Sequence, residues 1–253
     1  MKRLFPAGLF FVLFLVNGNA HARQKSTGVA RAPMLVTVAW LSEHFSDPSL
    51  VLLQIGEKSS YDKGHIPGAQ YLNYPDISTP RGQGLTLELP PVEQLVSVFQ
   101  NVGVSNSSHV ILYFGTDWVT PTTRVYWTLD YLGLGDRVSI LDGGLPAWRA
   151  AGKTVSTETK QPAKGSIASA PRKEIVADAA WVSGHLNQPR VTIIDARTKE
   201  FYAGLESDGN PRSGHIPGAA NLSYLSVFDE KTNQFKSPSA IGDLFRAAGL
   251  KPG

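Results

Sequence analysis

The hexapeptide Gly64-His65-Ile66-Pro67-Gly68-Ala69 returns, letter for letter, as Gly214-His215-Ile216-Pro217-Gly218-Ala219. Its glycines permit backbone of positive φ, its proline fixes φ, and its isoleucine can anchor a tight bend in apolar surroundings. The match spreads outward. Trp40-Leu41 and Val51-Leu52-Leu53-Gln54-Ile55-Gly56 align with Trp181-Val182 and Val191-Thr192-Ile193-Ile194-Asp195-Ala196-Arg197 at an offset of 141, and Tyr61 aligns with Tyr202. The offset then grows by nine, because the stretch from Ala203 to Ser213 replaces Asp62-Lys63 and reads as a surface loop. Leu72 and Tyr74 match Leu222 and Tyr224, and Phe99 to Val104 match Phe245 to Leu250. One domain has been duplicated. A histidine that serves both copies equally reads as architecture, its ring bonded to backbone, more than as a catalytic base.

Each copy alternates short apolar runs with helical patterns. Val51 to Ile55, Val110 to Phe114 and Val138 to Leu141 are continuous enough for strands buried on both faces. Pro91 to Val102 and Thr122 to Leu134 read as helices, and Ser237-Pro238 as a capped helix start. Such alternation implies parallel βαβ units and an α/β fold. The boundaries follow: a first copy over 33–152, a linker over 153–173 rich in Ser, Thr, Lys, Pro and Ala, and a second copy over 174–253.

Residues 1–22 stand apart. Lys2 and Arg3 precede the apolar run Ala7 to Val16, and Ala20-His21-Ala22 follows, the pattern of a secretory signal peptide cut after Ala22. The run is shorter than a spanning helix needs, so no stable membrane anchor is expected, and the mature chain is expected to be periplasmic or secreted. Losing Lys2 and Arg3 lowers the formal charge from +3 to +1. No basic tract remains to suggest nucleic acid. The cysteine count is zero, which removes both a disulfide framework and any thiol chemistry. Nucleophile elbow, P-loop, dinucleotide-binding glycines, H-E-x-x-H and clustered metal ligands are all lacking, so no cofactor or metal is expected. Asp142-Gly143-Gly144 reads as turn chemistry.

Asp195-Ala196-Arg197, the doubled G-H-I-P-G-A, and Thr123 to Trp127 leading to Leu141-Asp142-Gly143-Gly144-Leu145-Pro146-Ala147-Trp148 resemble the rhodanese family in its exported two-domain sulfurtransferase form. The resemblance runs from about Leu35 to Gly253. It implies tandem domains, each a five-stranded parallel sheet flanked by helices. It also implies sulfur transfer, in which a cysteine takes the outer sulfur of thiosulfate or 3-mercaptopyruvate as a persulfide and hands it to cyanide or a thiol. That thiolate needs a loop between a strand and a helix N-terminus, where converging N–H groups stabilise negative charge.

The sequence departs from that pattern. Phe114 stands where the first copy would align a nucleophile, and no base accompanies the neighbouring threonines. The second copy reads as incomplete. Aligning Gly253 with Ser107 leaves unmatched about 45 residues, the span from Ser107 to Gly152 in the first copy, and with them the cysteine loop. A sheet so shortened should leave Val191 to Ile194 with an unpaired edge. By the same resemblance, Phe201, just before Tyr202, stands where many two-domain members of that family place an arginine that helps bind the anionic substrate. Asp195, Arg197 and Arg212 are the residues expected to meet the sulfur anion, with no catalytic residue present. The chain is therefore expected to be a sulfurtransferase by family and inactive as given. The alternative is a non-catalytic module whose Phe114 to Pro121 loop binds an anion or a protein.

Overall fold

The computed structural model describes residues 12–16, 31–80, 83, 87–115, 119–207 and 212–250. They form two units. Strand β1 (Val12–Val16) belongs to the second.

The first unit lies within Val29–Val176. Its elements are β2 (Leu35–Val36), α1 (Val38–His44), β3 (Leu50–Ile55), α2 (Lys58–Lys63), β4 (Gln70–Leu72), α3 (Val92–Asn101), β5 (His109–Phe114), α4 (Thr120–Tyr131), β6 (Val138–Leu141) and α5 (Gly144–Ala150), with a 3-10 turn at Tyr74–Ile77. The strands order as β2-β6-β5-β3-β4, all parallel. Leu50 pairs with His109 and Ile55 with Phe114. One face of the sheet, with Leu52, Ile111 and Tyr113, packs on Leu41 of α1 and on Leu145 and Trp148 of α5. Alternation turns Leu53, Ile55 and Leu112 to the other face, and all three are fully buried. Burial on both faces is why these strands read as unbroken apolar runs.

The stretch 153–173, expected as an interdomain linker, lies along this unit as a strap. Ser156 exchanges backbone hydrogen bonds with His65 at 2.8 and 2.9 Å, and the Trp148 indole N–H donates to Thr154 O at 2.8 Å. Asn106 brackets Ala168 through both ends of its amide, and Ile167 is buried. Its polar composition concealed this, because the strap is held mainly through backbone groups, which composition does not register.

The second unit holds α6 (Ala179–Gly184), β7 (Val191–Asp195), α7 (Lys199–Tyr202), β8 (Ala220–Asn221) and α8 (Pro238–Ala247). β7 and β8 are parallel, as β3 and β4 are. The open edge expected along Val191 to Ile194 is instead paired: β1 runs antiparallel to β7, Val16 opposite Val191 and Val12 opposite Asp195. Unpaired N–H and C=O groups on an apolar strand recruit an extended apolar segment when one is available. The stretch expected as the core of a signal peptide supplies it. The second sheet thus has three strands among the described residues, against five in the first.

The duplication is visible in detail. Thr37 Oγ1 caps α1 by accepting from Trp40 N–H at 3.1 Å, and Asp178 caps α6 by accepting from Trp181 N–H at 2.7 Å. His44 stacks on Trp40 and His185 on Trp181, each pair 4.0 Å apart.

Candidate functional site

The hexapeptide turns are built alike and buried differently. Gly68 and Gly218 both have φ of 80°, the left-handed region that only glycine enters freely. Tyr61 and Tyr202 donate their hydroxyls to Ala69 O and Ala219 O, each at 2.8 Å. Each tyrosine also stacks on its histidine, at 3.8 Å for His65 and 3.7 Å for His215. His65 is 0% exposed, with Nδ1 2.9 Å from Tyr61 O and Nε2 3.1 Å from Glu158 O on the strap. His215 is exposed and has one such contact, 2.8 Å from Tyr202 O. Both rings brace a bend.

In the second unit, Asp195 and Arg197 form a two-pronged pair: Arg197 Nε lies 3.0 Å from Oδ1 and Nη2 lies 2.6 Å from Oδ2. Arg197 Nη2 also donates to Gly214 O at 2.7 Å, which ties β7 to the hexapeptide. The side chains are only 13% and 8% exposed, so the two charges neutralise one another in the interior. Arg212 is exposed and lies two residues before the Gly214 carbonyl that Arg197 reaches. The structure therefore joins two of the three residues expected at the anion site, Asp195 and Arg197, in one ion pair.

In the first unit the chain goes from β3 out to β4, then crosses back to β5 on the far side of β3. In open α/β sheets ligands settle at such a reversal, outside the C-terminal ends of the strands. Gln54 near the end of β3, Ser60 on α2 and Gly115 after β5 meet there. A Cβ placed on Gly115 would stand 2.5 Å from Ser60 Oγ and 2.7 Å from Gln54 Nε2, so no other residue fits without displacement. Gln54 is 1% exposed, yet neither end of its amide has a hydrogen-bond partner, and the buried Ser60 hydroxyl has none.

Helix α4 starts beside them with Thr120-Pro121-Thr122, and the hydroxyls of both threonines are buried without partners. Farther along, Arg124 is 5% exposed. Its Nη2 donates to Leu87 O at 3.0 Å, its guanidinium lies 5.1 Å from the Trp127 ring centre, and its Nε has no partner. Burial pulls its pKa below the usual arginine value, with only Tyr74 opposing. Phe114, at the expected nucleophile position, is a buried core residue whose ring lies against Gly144. Thr116, Asp117 and Trp118 of the same loop lie outside the described residues.

The model of the rhodanese-like domain matches residues 37–151 and again 178–248. The chain belongs to the rhodanese-like domain family. It is 33% identical over 204 residues to the thiosulfate sulfurtransferase of Azotobacter vinelandii, covering 79% of this chain and 72% of that protein. It is also 33% identical over 224 residues to a Pseudomonas aeruginosa protein named probable 3-mercaptopyruvate sulfurtransferase, covering 84% and 78%. Among solved structures, the 3-mercaptopyruvate sulfurtransferase SseA of Escherichia coli superposes with a TM-score of 0.76 at 26% identity, covering 87% of this chain and 85% of that one.

Within this rhodanese-like chain, sequence reasoning passed over Gln54, Ser60 and Arg124. A signal for the first two was present. At the offset of 141, Gln54 is the counterpart of Asp195, Gly56 of Arg197 and Ser60 of Phe201. The first copy keeps a polar residue at the brace position but has lost the arginine that satisfies it.

Proposed function

We propose that this chain is a sulfurtransferase relative that meets a small sulfur anion, thiosulfate or 3-mercaptopyruvate, and as given does not transfer its sulfur. The observation that carries the reading is the zero cysteine count in a chain of this family. The family's chemistry needs a thiolate to hold the sulfur as a persulfide before cyanide or a thiol takes it. Phe114 cannot replace it, since a buried phenyl ring has no lone pair to offer.

Asp195, Arg197 and Arg212 are our proposal for the anion's surroundings. The compensated Asp195–Arg197 pair would shape the site, and the exposed Arg212 would supply charge. We further propose export, with cleavage after Ala22 and a periplasmic or extracellular location, from the N-terminal charge and hydropathy pattern; that cleavage would remove β1 and leave the β7 edge that it covers open in the mature chain. An intact mass from the native source that begins at Arg23 supports export, and one that retains Met1 refutes it.

The test of activity is thiosulfate-dependent sulfur transfer to cyanide by the purified 253-residue chain. The expected rate is that of the buffer alone. Turnover above it, abolished by boiling the protein, would overturn the reading.

A further inference from the structure

At the N-terminal ends of β3 and β4, away from the edge that holds Gln54 and Gly115, the first unit has an open cavity of about 450 Å³. Its walls come from the loop after α1 (Phe45, Asp47), the start of β3 (Val51), the hexapeptide (Pro67), the end of α3 (Val102) and the strap (Pro162). Concave sites of about 300–1,000 Å³ with apolar walls and few polar groups are the usual seats of small molecules. β3 is sealed from Leu52 to Ile55, yet Leu50 and Val51, which line the cavity, are only half-buried. Val102 and Pro162 are half-buried too. The apolar body of a ligand would remove this surface from water.

We propose that this cavity binds a small amine, its apolar body against Val51, Val102 and Pro162 and its ammonium group at the Asp47 carboxylate. Asp47 is the one charged residue among those lining the cavity. Its Oδ1 accepts from Ser49 N–H at 2.8 Å, and that bond holds its carboxyl below the usual carboxylate value, so it is an anion at neutral pH. Among the described residues no cation makes an ion pair with it. The histidines whose charge it would feel bond elsewhere: His44 Nδ1 lies 2.8 Å from Trp40 O, and His109 Nε2 lies 2.9 Å from Ser139 Oγ.

Two further features favour a cation. Helix α3, of 10 residues, ends at this wall, and the carbonyls of a helix C-terminus carry partial negative charge. The Phe45 ring, still 38% exposed beside Trp148, adds an aromatic surface that attracts cations. The second copy has neither group, because Leu186 and Gln188 stand where Phe45 and Asp47 do. The cavity lies wholly in the first unit, so amine binding does not rest on the sulfur-anion reading.

The test is NMR titration of the full 253-residue chain, ¹⁵N-labelled, at neutral pH and constant ionic strength. The probes are 2-phenylethylamine, 2-phenylethanol and 3-phenylpropionate, which share an apolar body and carry a positive, a neutral and a negative head. Expected are saturable shifts of the Ser49, Gly68 and Gly103 amides with the amine, at a Kd on the order of 1 mM. The alcohol should bind about three- to fivefold more weakly, as suits an exposed ion pair, and the acid more weakly still. Asp47→Asn should weaken the amine by about that same three- to fivefold and leave the alcohol unchanged. The asparagine amide oxygen can still accept from Ser49, so the thermal midpoint should match the parent's, which separates lost binding from lost fold. No saturable shift with the amine, equal affinity for the three probes, or parent-like amine binding by Asp47→Asn overturns the proposal.

Discussion

Replacing His65 by alanine should cost the protein far more than the same change at His215, although the two sit in identical hexapeptides. The His65 ring is fully buried between Tyr61, on which it stacks, and the strap, with ring nitrogens 2.9 Å from Tyr61 O and 3.1 Å from Glu158 O. Carbonyl oxygens only accept, so at least one of the two ring nitrogens donates. His65→Ala therefore removes one full hydrogen bond worth about 1 kcal/mol and a stacked ring pair worth roughly 0.5–1.5 kcal/mol. It also leaves a cavity whose lining loses contacts worth on the order of another 1–2 kcal/mol. The sum is about 2.5–4.5 kcal/mol. At His215 the ring is exposed with one carbonyl contact and a comparable stack, both weakened by competing water, and with no cavity left the loss should be about 1 kcal/mol. Urea denaturation of the two variants measures the difference. Amide hydrogen exchange at Ser156, whose N–H donates to His65 O, reports whether the strap loosens. Equal midpoints for the two variants, or unchanged Ser156 protection in His65→Ala, would refute the reasoning that the strap turns one copy of a shared bend into core.

Gly144→Ala should destabilise the first unit by about 1–3 kcal/mol through strain and overpacking, because its backbone is left-handed at φ 56° and the new methyl meets the Phe114 carbonyl oxygen at 2.7 Å; a urea midpoint within error of the parent contradicts this. Arg197→Ala should cost about 3–5 kcal/mol by stranding the buried Asp195 carboxylate, and Arg197→Lys should recover only part of it because an ammonium cannot make both prongs. Full recovery by lysine, read from melting curves, would show that charge alone is needed. A pH effect is expected from His109, whose pKa burial lowers against the opposing pull of Asp47, and whose Nε2 lies 2.9 Å from Ser139 Oγ. A depressed folded-state pKa gives stability that is full above the ordinary histidine value and is lost as pH falls through the folded value. His109→Gln should therefore flatten the stability profile below about pH 6.5, and an unchanged acid limb would sink the assignment.

How much of the molecule could be read in advance differs from element to element. β6 begins and ends where its apolar run does, and β3 and β5 each start one residue earlier, at Leu50 and His109. A strand buried on both faces announces itself without help from distant residues. Helix α4 begins two residues before its apolar pattern, at Thr120, because Pro121 sits in the first turn where its missing N–H costs nothing. The Asp195–Arg197 brace was legible as residues and not as a pair, since side-chain geometry decides whether a guanidinium meets its neighbour or a ligand. Gln54 was hidden inside an apolar run, where one amide reads as noise until its burial without partners is known.

By itself the sequence determined the duplication, the α/β alternation, the family and the absence of a thiol. These follow from residue identity and from periods of two and 3.6, which are properties of the local backbone. Only the tertiary structure decided that one hexapeptide is sealed and the other open, that a polar stretch is a strap, and that an N-terminal apolar segment pairs with β7. It alone set Gln54 beside Ser60 and Gly115 with nothing to bond. Each of these depends on groups brought together from far apart in the chain, and burial and hydrogen-bond satisfaction are settled only once those groups are in place.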